Sequence, residues 1–204
     1  MVLLISFFSF PKSYLGTEVK INEKMRSRYK ISDKHSQYFI TSTIVNWIPV
    51  FNNKRNINSL IEALIFSQKN KDFKIYDYVI MPEHLHLICS CDKLINTVQS
   101  IKSYTSKRII ETYERENDLS ILDRFITNKK LYKSQSKYQI WQEGFMPKEI
   151  ISDEMFEQKS DYIHFNPVKR GLVNDILDYE CSSARDYFLR KRGRIEIDDL
   201  DYEN

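Results

Sequence analysis

The residues best suited to chemistry in this chain fall in two short segments. In the first, His84-Leu85-His86 lies in an apolar run that reads as a strand. Residues i and i+2 of a strand point to the same face, roughly 7 Å apart. The two imidazoles therefore stand side by side while Leu85 turns the other way. Such a pair is half of a metal site; a surface strand that binds nothing can carry the same pair. The chain holds four histidines in all, which makes two at this spacing more telling. In the second segment, Tyr162 and Asn166 sit four residues apart in a helical pattern, on one face and one turn from each other. The tyrosine could act as a nucleophile, and the asparagine carbonyl could complete a metal shell. A half-buried core tyrosine and a capping asparagine before Pro167 fit the same spacing, and the chain has 13 tyrosines. His164 lies roughly 200° around the helix from Tyr162 and reads as packing or capping. His35 precedes the first strand and carries no signal.

These segments need elements to hold them. Gln37 to Val45 is aromatic and β-branched, a strand. Asn58 to Asn70 has apolar residues at helical spacing. Phe73 to Met81 is a second strand, Pro82-Glu83 interrupts it, and His84 to Ser90 is a third. Ile95 to Tyr113 is another helix. Within 114–138 the pattern predicts a short helix around Leu119 to Ile126, then an exposed basic loop. Tyr138 to Met146 is expected to form the fourth strand or a hairpin, with Glu143-Gly144 at its turn. Ser152 opens the helix that carries Tyr162 and Asn166, and Pro167 marks where it should be ending. The order strand, helix, strand, strand, helix, strand, helix is the split βαβ, ferredoxin-like arrangement of an α+β protein. It predicts an antiparallel sheet with helices on one face and the tyrosine helix packed against it. No internal repeat or low-complexity tract interrupts it.

Composition sets the outer limits. At 204 residues, 42% hydrophobic and 29% charged, the chain can bury a core of its own and is not disordered. A net charge of +3 does not announce nucleic acid, so any such case rests on where the charge sits. Cys89, Cys91 and Cys181 make an odd count without a disulfide or zinc pattern, which suits free thiols in a reducing cytoplasm. Val2 to Phe10 is apolar but far shorter than the ~20 residues of a membrane span. It lacks a signal-peptide pattern, so no membrane association is expected. Met25 is an alternative start to Met1, with the residues before it an upstream extension.

Two longer motifs join the two segments: Met81-Pro-Glu-His-Leu-His-Leu-Ile88 and Asp161-Tyr-Ile-His-Phe-Asn-Pro-Val-Lys-Arg-Gly-Leu-Val173. Ile140-Trp-Gln142 and Ser182-Ser-Ala-Arg-Asp-Tyr187 flank the second. Together they resemble the single-tyrosine, His-hydrophobic-His (HUH) transposases of the IS200-like group, and more narrowly the REP-associated tyrosine transposases. The resemblance runs from about Tyr29 to Arg194. It implies a transposase domain over 29–178, preceded by an extension over 1–28 and followed by a basic, then acidic, tail over 179–204. It further implies that Tyr162 is the nucleophile, that His84, His86 and Asn166 hold Mg2+ or Mn2+, and that single-stranded or hairpin DNA is cut and rejoined through a 5′-phosphotyrosine. The role of Glu149, and that of 114–138, stay open, as does the choice between homodimer and monomer.

Basic residues that could track a DNA backbone are Lys102, Lys107, Arg108, Lys169, Arg170, Arg185, Arg190, Lys191 and Arg192, with Tyr187 and Phe188 between them for stacking. The final acidic residues, from Glu196 to Glu203, could fold over that patch or stay solvated. Two other readings share much of the pattern: a relaxase or replication initiator, and a nucleic-acid-binding module of the same fold that has lost catalysis.

Overall fold

A computed structural model of the chain describes residues 36–129, 136–145, 147–200 and 202. The N-terminal apolar run, Met25, His35 and most of the basic loop lie outside the described residues. Four strands, β1 (Gln37–Thr43), β2 (Lys74–Ile80), β3 (His84–Ser90) and β4 (Lys148–Ile150), form one antiparallel sheet in the order β2-β3-β1-β4. Between and around them run α1 (Lys54–Lys71), α2 (Leu94–Arg115), α3 (Leu119–Thr127), α4 (Asp153–Lys169) and α5 (Ala184–Leu189). This is the expected α+β, split-βαβ arrangement.

Every residue of β3 is buried, because helices cover both sides of the sheet. On one side, Leu60 and Leu64 of α1 and Val98 and Ile101 of α2 meet Ile40, Leu85 and Leu87. Each such aliphatic side chain, fully buried, contributes roughly 1.5–3 kcal/mol. The helix carrying Tyr162, α4, lies on the other side and touches β2, β3 and β4. The helices thus occupy two faces rather than one, and the alternation along β3 explains why. Leu85 and Leu87 turn to α1 and α2, whereas His84 and His86 turn to α4.

The fourth strand differs from the expectation. Tyr138 to Phe145 does not form it, and Met146 lies outside the described residues. Trp141 makes a single bridge to Ile44, with Val45 N donating to Ile140 O and Gln142 N to Thr43 O, and the chain then leaves the sheet. Its aromatic composition serves the core instead: Trp141 is buried against Phe51, and its Nε1 donates to Thr105 Oγ1 at 3.0 Å. Gly144 takes a φ of 72°, the left-handed region open to glycine, in the segment that leaves the sheet. The strand proper is Lys148–Ile150, which pairs with the opposite end of β1 through Gln37↔Ile150 and Phe39↔Lys148. Glu149 sits in it, exposed, opposite Tyr38.

After α4 the chain returns along the open edge of β2. Ile80 N donates to Cys181 O and Ser183 N to Tyr78 O. Further on, Asp198 N donates to Ile75 O, and its carboxylate accepts from Ile75 N at 2.8 Å and from Gln68. Ile195 and Ile197 are buried in this segment. The acidic end is therefore docked through Asp198 on an edge that would otherwise expose unpaired backbone groups; Asp201 and Glu203 lie outside the described residues.

Candidate active site

The site forms where α4 crosses β3. Ser152 caps α4, its Oγ accepting from Met155 N at 3.2 Å, and Asp153 and Glu154 occupy the first turn, where the helix dipole favours acid. Pro167 falls in the last turn, and Gly171 at φ 66° lets the chain turn away after it. Within α4, Lys159, Tyr162, Asn166 and Lys169 fall along one flank at 100° per residue.

That flank meets the histidines. His84 and His86 are edge to face, with ring centroids 4.7 Å apart. The Tyr162 ring stands edge-on to His86 at 5.1 Å and to Phe39 at 6.0 Å. Phe39 stacks on His86 at 5.5 Å, so the three rings form one cluster. Tyr162 remains 38% exposed, whereas the two histidines are 4% exposed each and Asn166 is buried one turn along. The structure thus brings Tyr162 against the histidine pair, with Asn166 buried one turn along the same flank of α4.

His86 is hydrogen-bonded at Nδ1, whereas His84 Nδ1 faces a carboxylate without a hydrogen bond among the described residues. Thr41 Oγ1 lies 2.8 Å from His86 Nδ1, and Glu83 Oε1 lies 3.3 Å from His84 Nδ1. Glu83 in turn pairs with Arg170 at 2.7 Å. In the tautomer whose Nδ1–H donates to Thr41, the His86 Nε2 lone pair is left for another partner. This Nε2 is buried and has no hydrogen-bond partner among the described residues. Burial pulls His86 down to about 3, helped by the neighbouring His84 and Lys159. Burial also lowers His84, against the opposing pull of Glu83. Neutral imidazoles with an unpartnered nitrogen fit a metal ligand set. Among the described residues no three His, Cys, Asp or Glu side chains surround a common point, so Asn166 and substrate oxygens would have to supply the remaining ligands.

The basic residues divide by place. Lys169 Nζ lies over the Tyr162 ring at 5.7 Å, and Arg170 is tied to Glu83. The others sit elsewhere. Lys102 lies over the Trp141 and Phe145 rings, Lys107 and Arg108 pair with Glu111, and Arg185 Nε donates to Leu177 O. Arg192 pairs with Glu196, and Arg190 and Lys191 follow α5 in the segment beside β2. Reading the sequence missed Lys159, whose Nζ is 5.2 Å over the Phe39 ring, along with Thr41, Phe39 and Glu83. Glu83 adjoins His84 and Lys159 stands three residues before Tyr162, which were usable signals. Thr41 and Phe39 depend on strand register, which no local pattern reports.

His164, on the opposite flank of α4, is buried and packs on Tyr187 and Phe188. Its Nε2 lies 3.1 Å from Asp77 Oδ1 and 3.3 Å from Ser183 Oγ, and Ser183 also hydrogen-bonds Asp77. This cluster joins α4, β2 and the Ser182-Ser-Ala motif. His164→Ala leaves the fully buried Asp77 carboxylate with Ser183 Oγ but without its imidazole partner. It is expected to lower the unfolding free energy by about 2–3 kcal/mol, read from urea denaturation at neutral pH. A drop below about 0.5 kcal/mol, the range of an idle surface change, would mean the cluster holds nothing.

The model of the IS200-like transposase family matches residues 35–166, and the chain belongs to that family. It is similar to a REP-associated tyrosine transposase of Escherichia coli (strain K12), with 27% identity over 124 residues, 61% of this chain and 62% of that one. The match spans about three fifths of that relative's length. A second relative, from Haemophilus influenzae, is 25% identical over 127 residues, 62% of this chain and 68% of its own. Among solved structures, a REP-associated tyrosine transposase bound to a REP hairpin superposes with a TM-score of 0.57 at 20% identity. That superposition covers 87% of this chain and 99% of that one, and it shows the shared fold. No helix among the described residues is long and apolar enough to cross a membrane.

Proposed function

We propose that this protein cuts and rejoins single-stranded or hairpin DNA, with Tyr162 as the nucleophile. The observation that carries the reading is the Tyr162 ring standing against His86 at 5.1 Å, beside the paired His84. The Tyr162 oxygen attacks the scissile phosphorus, the bond to the 3′ oxygen breaks, and a 5′-phosphotyrosine remains. The tyrosyl proton is lost and the departing strand end gains one, leaving a 3′-hydroxyl. Rejoining is the reverse attack by a 3′-hydroxyl, and it needs no nucleotide because the phosphodiester energy stays in the protein–DNA bond. When bound by His84, His86 and Asn166, Mg2+ or Mn2+ supplies charge neutralisation at that phosphate. Thr41 orients the His86 imidazole, and Glu83, paired with Arg170, places a carboxylate beside His84.

The test is incubation with hairpin oligonucleotides drawn from the DNA around its gene, followed by denaturing electrophoresis. A covalent adduct that disappears on protease treatment supports the reading; cleavage without an adduct rejects it. The basic side chains at the site give a second expectation. Replacing Lys159 and Lys169 by Gln should flatten the salt dependence of single-strand binding by a log–log slope of about 0.7 for each phosphate no longer neutralised. Replacing Arg190, Lys191 and Arg192 should change it less, because Arg192 is already paired with Glu196 and the segment docks beside β2. An equal or larger change from the tail would move the strand's path to that edge.

A further inference from the structure

We infer that Trp47 is a stacking platform for an unpaired nucleobase next to the reacting phosphate; this deepens the strand-cutting reading of the site and rests on it. The chain has two tryptophans, and they are used in opposite ways. Trp141 is buried with its Nε1 bonded to Thr105, whereas Trp47 is 55% exposed. The Trp47 ring stands edge to face with His84, centroids 5.7 Å apart at 76°. It therefore extends the ring contacts that run through His84 and His86 to Phe39 and Tyr162.

The backbone beneath it is unusual. Asn46 and Trp47 have φ of 51° and 53°, two consecutive side-chain-bearing residues in the left-handed region. That conformation is uncommon for any residue other than glycine, and for a bulky one it is an outlier that its surroundings must impose. They do so here. Ile44, Val45 and Ile48 are buried on either side, Ile44 N donates to Glu83 O, and Val45 N donates to Ile140 O. Trp47 N donates back to Ile44 O and Ile48 N to Val45 O. The turn is pinned at both ends, yet its large apolar ring gains little burial from the strain. What the strain achieves is to hold that ring outward, beside His84.

An aromatic face held open beside a phosphate-handling site suits a base, since every base offers a π-face and stacking tolerates sequence. It suits only an unpaired base, because a duplex keeps its bases stacked inside. The occupant is thus a base of the single strand, one that flanks the phosphate facing Tyr162.

The test uses the full chain and hairpin oligonucleotides with single-stranded flanks, in which one flanking nucleotide at a time is made abasic. Binding is read by anisotropy, adduct formation by gel, and the folded state by thermal midpoint. Trp47→Ala is expected to keep its fold and bind about 10-fold more weakly, with Trp47→Phe recovering most of that affinity. One abasic position should weaken the wild type by a similar factor and leave Trp47→Ala unchanged. Binding should quench the wild-type fluorescence through Trp47, a signal absent in Trp47→Ala, where only the buried Trp141 remains. If Trp47→Ala binds like the wild type and no abasic position separates them, the platform is wrong even where the wild type forms an adduct. If adduct formation falls while binding holds, Trp47 merely covers His84, which also overturns it. If Trp47-dependent binding occurs without any adduct, the strand-cutting reading fails and the platform stands. If the wild type binds no single strand, both fall.

Discussion

Tyr162→Phe is expected to bind hairpin DNA as the wild type does and to form no covalent adduct, a fall of at least about a thousand-fold in cleavage. The substitution removes one oxygen from a side chain that is 38% exposed. Its ring contacts with His86 and Phe39 survive, so stability should stay within about 0.5 kcal/mol. This makes the drop in activity readable as chemistry rather than unfolding. Three other results would each mean something different. Cleavage without an adduct would point to an attacking water and a nuclease. A persisting adduct would name another of the tyrosines. Binding without cleavage by either protein would leave a nucleic-acid-binding module of the same fold.

His86→Ala and His84→Ala are each expected to abolish cleavage in both Mg2+ and Mn2+ while the protein still folds. The cost to stability should not be zero, because the two imidazoles are buried rather than open to a groove. His86→Ala leaves Thr41 Oγ1 without its partner and opens a void beside Phe39 and Tyr162. About 1–3 kcal/mol is the scale of such a change. A reading that does not depend on activity comes from ligand linkage: Mn2+ should raise the thermal midpoint of the wild type by several degrees and leave that of His86→Ala unmoved. Cleavage at the wild-type rate by either variant would remove the histidines from the site. Equal stabilisation of wild type and variant by Mn2+ would place the ion elsewhere.

Much of this site could be read along the chain because its geometry is local. Two-residue periodicity puts His84 and His86 on one face, and helical periodicity puts Tyr162 and Asn166 on one flank and His164 on the other. Ser152 opens the tyrosine helix and Pro167 falls in its last turn, where the pattern placed its end. Local rules misled where composition resembled an element that tertiary packing did not build. Tyr138 to Met146 is aromatic enough for a strand, but Trp141 gains more by burial against Phe51 and Thr105, and only one bridge forms.

Alone, the sequence determined the element order, the ferredoxin-like class, and which side chains within each element face together. Those follow from bond geometry and solvent exclusion acting over a few residues. The tertiary structure decided what faces them. Pairing of Thr41 with His86 joins residues 45 apart in the chain, and it orients the imidazole that Tyr162 meets. The crossing of α4 over β3 brings Lys159 over Phe39. Buried neighbours on both sides force Asn46 and Trp47 into the left-handed region. Asp77, Ser183 and His164 meet only because three separate elements converge. Contacts of this kind depend on strand register and on which face each helix takes, and both are settled by burying the whole core at once.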